Sequence, residues 1–213
     1  MLRVFSSERE LAYGFSLLDA ADLWEYVLPG AIATQQNKAR AACLPPDAAM
    51  RIAQLYYNNG RNNTEAAASG CHALRLSRAL TEDVTALVDG LEEPLPADDT
   101  ALRRLMARYG ERAERVLILC AHRDTDDKAG IEIPFAWRAV LDRAADIRAA
   151  GDCLSIASLA IGGRELAQRG LRGSQIGRAL NRLLERVLDD PTQNTKERLL
   201  ALLDGMPTEG EEG

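Results

Sequence analysis

Apolar residues recur at spacings of three and four along nearly the whole chain, and this period is what most constrains the fold. Such spacing places apolar side chains on one face of an α-helix, whereas a half-buried strand requires strict alternation. Runs of β-branched residues are short, and no hairpin dipeptide stands between two alternating segments. The sequence therefore predicts an all-α protein, and the short turns between helices predict antiparallel packing in a multi-helix bundle.

Turn and cap residues predict where the individual helices begin and end. Thr64 and Ser77 can each cap a helix start, either Asp99 or Thr100 can cap another, and Gly110 separates two helices. The expected helices cover residues 8–28, 47–56, 64–74, 77–89, 100–109, 111–122 and 134–150, and a long helix opens at Gly173-Ser174.

A proline-containing stretch from Leu91 to Asp99 is the best candidate for a linker. We expect a helical bundle body over roughly residues 1–150, followed by a smaller helical tail domain over roughly residues 151–205. The acidic end, residues 206–213, is expected to be disordered.

Charge and hydropathy narrow the class of protein. The formal net charge of −6 argues against a protein that coats nucleic acid nonspecifically. No window approaches the length of about 18 uncharged apolar residues that a membrane span needs, and the start lacks a signal-peptide pattern. We therefore expect a cytoplasmic protein. The charge is nevertheless uneven, because four arginines and no acidic residue lie between Leu166 and Leu184.

Four cysteines are spread along the chain, and no two are close enough for a C-x-x-C metal or redox pair. They are Cys43, Cys71, Cys120 and Cys153. Each lies in an apolar stretch, which predicts buried free thiols in a reducing compartment.

The helix that opens at Gly173-Ser174 has two opposite faces. Its apolar side chains form a single stripe: Ile176, Leu180, Leu183, Leu184, Val187 and Leu188. On the far side Arg178, Arg182 and Arg186 recur every four residues, a spacing that roughly matches successive phosphates of a nucleic-acid strand. The glycine turn exposes helix-start amides that can bind an anion. The alternative interpretation is a solvated helix face on which Glu185 pairs across the arginines.

Several runs within residues 155–203 together resemble one known family. They are Leu159-Ala-Ile-Gly-Gly-Arg-Glu-Leu, Gly170-Leu-Arg-Gly-Ser-Gln-Ile-Gly-Arg-Ala-Leu, Leu183-Leu-Glu-Arg-Val and Asn194-Thr-Lys-Glu-Arg-Leu-Leu. In order and spacing they look like the C-terminal region of bacterial CCA-adding tRNA nucleotidyltransferases and their poly(A) polymerase relatives. Gly162 stands where that family often has asparagine. A fainter likeness to the end of the family's neck and to its body covers the upstream chain.

The resemblance implies a non-catalytic part of such an enzyme. This part would grip the elbow of tRNA, formed by the D and T arms, while a separate head adds C, C and A to the 3′ end. The expected partner is tRNA, a separately encoded nucleotidyltransferase head would be a second partner, and neither DNA nor a membrane is expected. The candidate RNA-binding residues are Arg164, Arg169, Arg172, Gly173, Ser174, Gln175, Arg178, Arg182 and Arg186.

The chemistry of the resembled family requires a head with a Gly-Ser turn and an Asp-x-Asp pair, on a strand, that holds two metal ions. Asp124-Thr125-Asp126 has the right letters, but it falls in a predicted polar loop without either feature. Neither His72 nor His122 is followed by aspartate, as a phosphohydrolase site would need. We therefore expect no catalytic residue, metal ligand or cofactor in this chain. Mg²⁺, CTP and ATP would belong to the missing head.

Other interpretations stay open at this point. The chain can be a helical protein–protein interaction module, or a degenerate member of the family that no longer binds RNA. It can also be one piece of a full-length enzyme.

Overall fold

The computed structural model describes residue 5 and residues 11–58, 63–125 and 132–205. Within these residues the regular structure is helical and contains no β-strand, which confirms the all-α prediction. The α-helices are α1 (Leu11–Ala20), α2 (Trp24–Val27), α3 (Gln35–Cys43), α4 (Ala48–Leu55), α5 (Thr64–Ala73), α6 (Arg78–Gly90), α7 (Asp99–Tyr109), α8 (Ala113–Arg123), α9 (Phe135–Ala149), α10 (Gly163–Gln168), α11 (Ser174–Asp189) and α12 (Lys196–Asp204). Short 3₁₀ turns cover Gly110–Arg112, Ile156–Ser158 and Pro191–Gln193.

The chain divides into two compact units. Unit 1 comprises Met1–Leu95 and Glu111–Asp142, and unit 2 comprises Pro96–Gly110 and Arg143–Gly213. The first boundary falls inside the predicted linker, whereas the predicted body, residues 1–150, is shared between the two units. The predicted tail domain, residues 151–205, lies within unit 2, and the acidic end, residues 206–213, lies outside the described residues.

Unit 1 is organised on α6, which packs against α4, α5 and α8, while α3 packs against α1 and α4. Ser77 caps α6 as predicted, because its Oγ accepts a hydrogen bond from the Leu80 amide at 3.2 Å. The inward face of α6 includes Val84 and Leu87, both fully buried. The sequence period therefore located this central helix and its buried face.

The predicted first helix, residues 8–28, is wrong as a single element. In its described part, α1 and α2 are separate helices because Asp22 has a left-handed φ of +52°. The turn at Asp22 places the ring centroid of Trp24 5.3 Å from the ring centroid of Phe15. It also allows Trp24 Nε1 to donate a hydrogen bond to Asp19 at 2.7 Å. The break between the helices thus accompanies an aromatic contact and a hydrogen bond of the half-buried Trp24 side chain.

The sequence reasoning assigned no helix to residues 35–43, yet α3 occupies them. The reason is that several of its buried side chains are polar: Asn37, Lys38 and Arg40. Thr34 caps the helix start by accepting from the Asn37 amide at 3.1 Å, and Lys38 Nζ donates to Asp19 at 2.5 Å. A helix that buries a polar face produces no apolar period in its sequence.

Two predicted caps are displaced by one residue. Thr64 is the first residue of α5 and follows Asn63, so it does not cap the helix. The start of α7 is capped by Asp98, which accepts from a first-turn amide at 2.7 Å, and not by Asp99 or Thr100. Because adjacent carboxylate and hydroxyl side chains compete for the same amides, the local sequence did not distinguish them.

All four cysteines are free thiols, and three of them, Cys71, Cys120 and Cys153, are buried as predicted. The prediction is wrong for Cys43, which is exposed at the last residue of α3. Its apolar sequence neighbours did not indicate burial because they face other directions around the helix end.

Unit 2 is organised on α11, which packs against α7, α10 and α12. Leu166, Leu183, Val187 and Leu199 have no exposed surface in its core. The predicted apolar stripe is confirmed, with Leu180, Leu183, Val187 and Leu188 buried and Ile176 and Leu184 partly buried. The opposite face of α11 is thereby directed away from this core.

Candidate nucleic-acid interface

Four of the predicted RNA-binding residues, Arg172, Gly173, Ser174 and Gln175, lie at the start of α11. Gly173 precedes the helix with a left-handed φ of +52°, a conformation that suits glycine, and no side chain caps the helix from this position. Gln175 Oε1 accepts a hydrogen bond from the Arg172 amide at 3.0 Å. Gln175 therefore stabilises the turn, a local role that the sequence pattern did not indicate.

Arg178 and Arg182 are both exposed on the outward face of α11. Their Cα atoms are one helical turn apart, about 6 Å along the axis. Arg178 Nη1 donates to Ser174 Oγ at 3.2 Å, which directs this guanidinium towards the helix start. Ser174 therefore contacts the arginine row within the same turn of helix.

Arg186, the third member of the row, is exposed in a different electrostatic setting. It lines an open pocket of about 460 Å³ together with Asp189 and Asp190. Asp190 accepts hydrogen bonds from Thr192 and from Gln193 Nε2, both at 2.7 Å. Carboxylates therefore lie beside the Arg186 end of the arginine row.

Arg104 of α7 contributes a basic side chain that the sequence reasoning missed. Its guanidinium bonds Glu185 at 3.2 Å and Asp189 at 2.6 Å. Glu185, which the alternative interpretation paired with the arginines of its own helix, thus forms an ion pair with an arginine of α7. No local signal could have revealed it, since the two residues are 81 positions apart.

The remaining candidate arginines lie around α10. Arg169 forms an ion pair with Asp204 of α12, which neutralises part of its charge. Arg164 is exposed at the start of α10, next to Glu165. The Glu165 carboxylate accepts from the Gly162 amide at 3.0 Å, and backbone hydrogen bonds hold the pKa of Glu165 below its usual value. Lys196 and Arg164 lower that pKa further through their charges, so Lys196 is a second basic residue near this end of unit 2.

Charge is distributed unequally between the units. The described residues of unit 2, 96–110 and 143–205, carry 13 basic and 10 acidic side chains. The acidic end, residues 206–213, adds three acidic side chains to unit 2, and unit 1 carries 13 basic and 19 acidic side chains. Unit 2 as a whole is therefore neutral, its described part is net positive, and unit 1 carries the net negative charge of the protein.

Unit 2 has a single aromatic residue, Tyr109, which is only 8% exposed. The Arg108 guanidinium lies 5.2 Å from the centroid of its ring. Recognition of single-stranded nucleic acid depends on exposed aromatic rings that stack on bases. The surface of unit 2 is therefore suited to contacts with a phosphate backbone and lacks an aromatic platform for bases.

The letters Asp124-Thr125-Asp126 do not form a described carboxylate pair, since Asp126 lies outside the described residues. Arg123 bonds both carboxylate oxygens of Asp124, at 2.7 and 2.8 Å, and Trp137 Nε1 donates to it at 2.8 Å. Burial alone would raise the pKa of Asp124, but these hydrogen bonds hold it below its usual value. Over the described ranges, no group of three or more His, Cys, Asp or Glu side chains is arranged to hold a metal ion.

A comparison of the chain with protein-family models, curated proteins and solved structures finds no match. Among the helices of the described residues, none has the length and apolar character needed to cross a membrane.

Proposed function

We propose that this chain is a tRNA-binding, non-catalytic part of a CCA-adding tRNA nucleotidyltransferase, in which unit 2 holds the tRNA elbow. One observation carries the proposal: Arg178 and Arg182 are exposed one helical turn apart beside the Gly173 turn, opposite the buried stripe of α11. The resemblance of residues 155–203 to the tail of that family supports the same surface. The chemistry of CCA addition would belong to a head that is not in this chain.

The expected RNA contact is with the backbone. Arginine forks bind phosphate oxygens in two places. The first-turn amides of Gln175 and Ile176 already donate to the carbonyl oxygens of Arg172 and Gly173, so the arginines are the expected phosphate contacts. The one aromatic side chain of unit 2 is buried, so its surface offers no ring that can stack on the bases of a single strand. We therefore expect this surface to recognise the shape of a folded RNA. The family resemblance indicates that this folded RNA is tRNA.

The decisive experiment is a titration of the protein with fluorescently labelled tRNA, with and without its CCA end, across a KCl series. A hairpin and an unstructured strand of equal length serve as competitors. We expect tight, salt-dependent binding that prefers tRNA and does not depend on the CCA end. Equal affinity for all the RNAs would refute recognition of the tRNA shape.

Replacing Arg178 and Arg182 together by alanine should weaken tRNA binding while leaving the fold intact, because both side chains are exposed. The slope of log K against log [KCl] should fall in magnitude by about two units, one for each lost phosphate contact. The matched control replaces Arg78 and Arg138 of unit 1, both exposed, and removes the same charge. Unchanged affinity in the α11 variant, or an equal loss in the control, would contradict the site.

Arg182→Ala should reduce tRNA affinity more than Arg186→Ala, although both residues lie in the same row. Asp189 and Asp190 line the pocket beside Arg186. Their negative charges repel an approaching phosphate, so we expect Arg186 to contribute less to tRNA binding. The two single variants are compared in the same salt series. An Arg186 variant that binds as weakly as the Arg182 variant would show that the contact extends over the whole of α11.

A second candidate function is a protein–protein interaction module. The observation that favours it is the outward face of α1, where Tyr13 is 68% and Leu17 is 51% exposed. An apolar face of this kind on an edge helix is typical of a surface that another protein covers. A tRNA titration without preference would favour this function, or a family member that has lost RNA binding.

A further inference from the structure

Unit 1 contains a group of polar side chains inside its helical core. Asn37 and Arg40 of α3, Gln54 of α4 and His122 of α8 are all buried. The Asn37 amide donates to the carbonyl oxygens of Ile32 and Tyr57, at 2.8 and 2.7 Å. The amide of Gln54 in turn approaches Asn37 Oδ1 at 3.5 Å. Several buried positions of these three helices of unit 1 are therefore polar, where apolar side chains are usual.

His122 differs from the rest of this group because it can take up a proton near neutral pH. Only 7% of its surface is exposed, and Nδ1 has no hydrogen-bond partner among the described residues. Its carbonyl oxygen accepts from Thr125 Oγ1 at 2.8 Å, which keeps the end of α8 in place. A proton added at Nδ1 would therefore place a buried positive charge on a ring nitrogen that makes no hydrogen bond with the described residues in this conformation.

The charged surroundings oppose that proton. Burial lowers the pKa of His122 below its usual value, and the positive charge of Arg40 from α3 lowers it further. The other titratable groups near this end of α8 are Tyr57 after α4, Glu92 and Glu93 after α6, and Arg123 and Asp124 in the next two positions. Asp124, the closest carboxylate in sequence, is bonded by Arg123 and by Trp137 Nε1.

We propose that His122 is an acid-sensitive element of unit 1: uptake of one proton by its buried imidazole opens the helix packing around α8, while unit 2 keeps its fold. Both histidines of the chain, His72 and His122, belong to unit 1, and unit 2 has none. His72 is exposed on α5 and lies outside the core of unit 1, so it provides the matched control.

The sign of the effect follows from proton linkage. The unfolded chain binds a proton at the usual histidine pKa of 6.5, whereas the folded imidazole binds it only at lower pH. Stability is therefore complete above pH 6.5 and is lost as the pH falls from 6.5 through the folded value. Asp83 and Asp124 of unit 1 have pKa values below 3.8, so these carboxylates do not titrate in that window.

The test uses the full chain and the intrinsic fluorescence of tryptophan. Both tryptophans, Trp24 and Trp137, are in unit 1, so their emission reports its unfolding, while far-ultraviolet circular dichroism reports the helices of both units. Urea unfolding is measured at intervals from pH 7.5 to pH 4.5. We expect the unfolding equilibrium constant of unit 1 to increase by up to tenfold for each unit that the pH falls below 6.5, which is the slope for uptake of one proton.

Two variants separate this proposal from a general effect of acid. His122→Gln should remove the pH dependence between 6.5 and 4.5, whereas His72→Gln should keep it. Because His122→Gln can itself weaken the core, proton magnetic resonance of the two imidazoles in the unsubstituted protein gives an independent reading. A His122 signal that titrates at 6.5 in the folded state, an unchanged slope in His122→Gln, or simultaneous loss of both units would each overturn the proposal.

Discussion

Replacing Gly70 by alanine is expected to unfold unit 1 at urea concentrations that leave the unsubstituted protein folded. A methyl group at this position of α5 would overlap the Tyr56 hydroxyl and would lie 2.6 Å from the carbonyl oxygen of Pro29. The Tyr56 side chain is fully buried, and its hydroxyl donates to that same carbonyl at 2.9 Å, so neither group can move aside freely. Overpacking together with loss of a buried hydrogen bond should cost about 3 kcal/mol or more.

The matched control for this prediction is Gly177→Ala, also in a helix. No atom of the described residues lies within 4 Å of the position that its new methyl group would take. Because alanine restricts the unfolded chain and favours helix, this variant should be more stable by about 0.5–1 kcal/mol. Tryptophan fluorescence follows the Gly70 variant, and circular dichroism follows the Gly177 variant because unit 2 has no tryptophan. A Gly70 variant as stable as the parent would mean that α5 lies farther from Tyr56 than the structure shows.

Leu183→Ala should destabilise unit 2 by about 3–4 kcal/mol. Leu183 has no exposed surface and lies in the core with Leu166, Val187 and Leu199, which are also fully buried. Truncation removes the transfer free energy of the lost atoms and leaves a cavity that rigid neighbouring helices only partly fill. Thermal unfolding followed by circular dichroism measures the change.

Leu184→Ala is the control for the core substitution. Its side chain is only partly buried at the edge of the same cluster, so its truncation should destabilise unit 2 by less than half as much. If the Leu183 variant lost tRNA binding together with its fold while the Arg178 and Arg182 variant lost binding alone, the two roles of α11 would be separated. Equal stability losses in the two leucine variants would contradict the orientation of α11.

The course of α11 was predictable because its own residues specify it. Gly173 supplies the turn, and the apolar stripe from Ile176 to Leu188 selects which face is buried. The arginines must then lie on the other face, since the helical period leaves them no alternative. The exposure of these arginines was therefore predictable from the sequence.

The electrostatic setting of the same arginines was not predictable in this way. Asp204 pairs with Arg169 from another helix, and Arg104 pairs with Glu185 from a helix distant in sequence. Charge pairing between distant segments depends on how the helices pack, and no spacing within one helix encodes it. The pocket in which Asp189 and Asp190 lie beside Arg186 likewise emerged only from the structure.

The sequence by itself determined the helical class, the ends of most helices and the two faces of α11, because caps, turns and apolar periods are local properties. Only the tertiary structure decided that α3 exists with a polar buried face, that α1 and α2 are separate, and that His122 lies in the core. These features depend on partners supplied by other segments: Asn37 donates to the carbonyl oxygen of Tyr57, and the Trp24 ring packs at a tilt against the Phe15 ring. Whether a side chain is buried among polar neighbours depends on tertiary packing, and the residues adjacent to it in sequence do not indicate it.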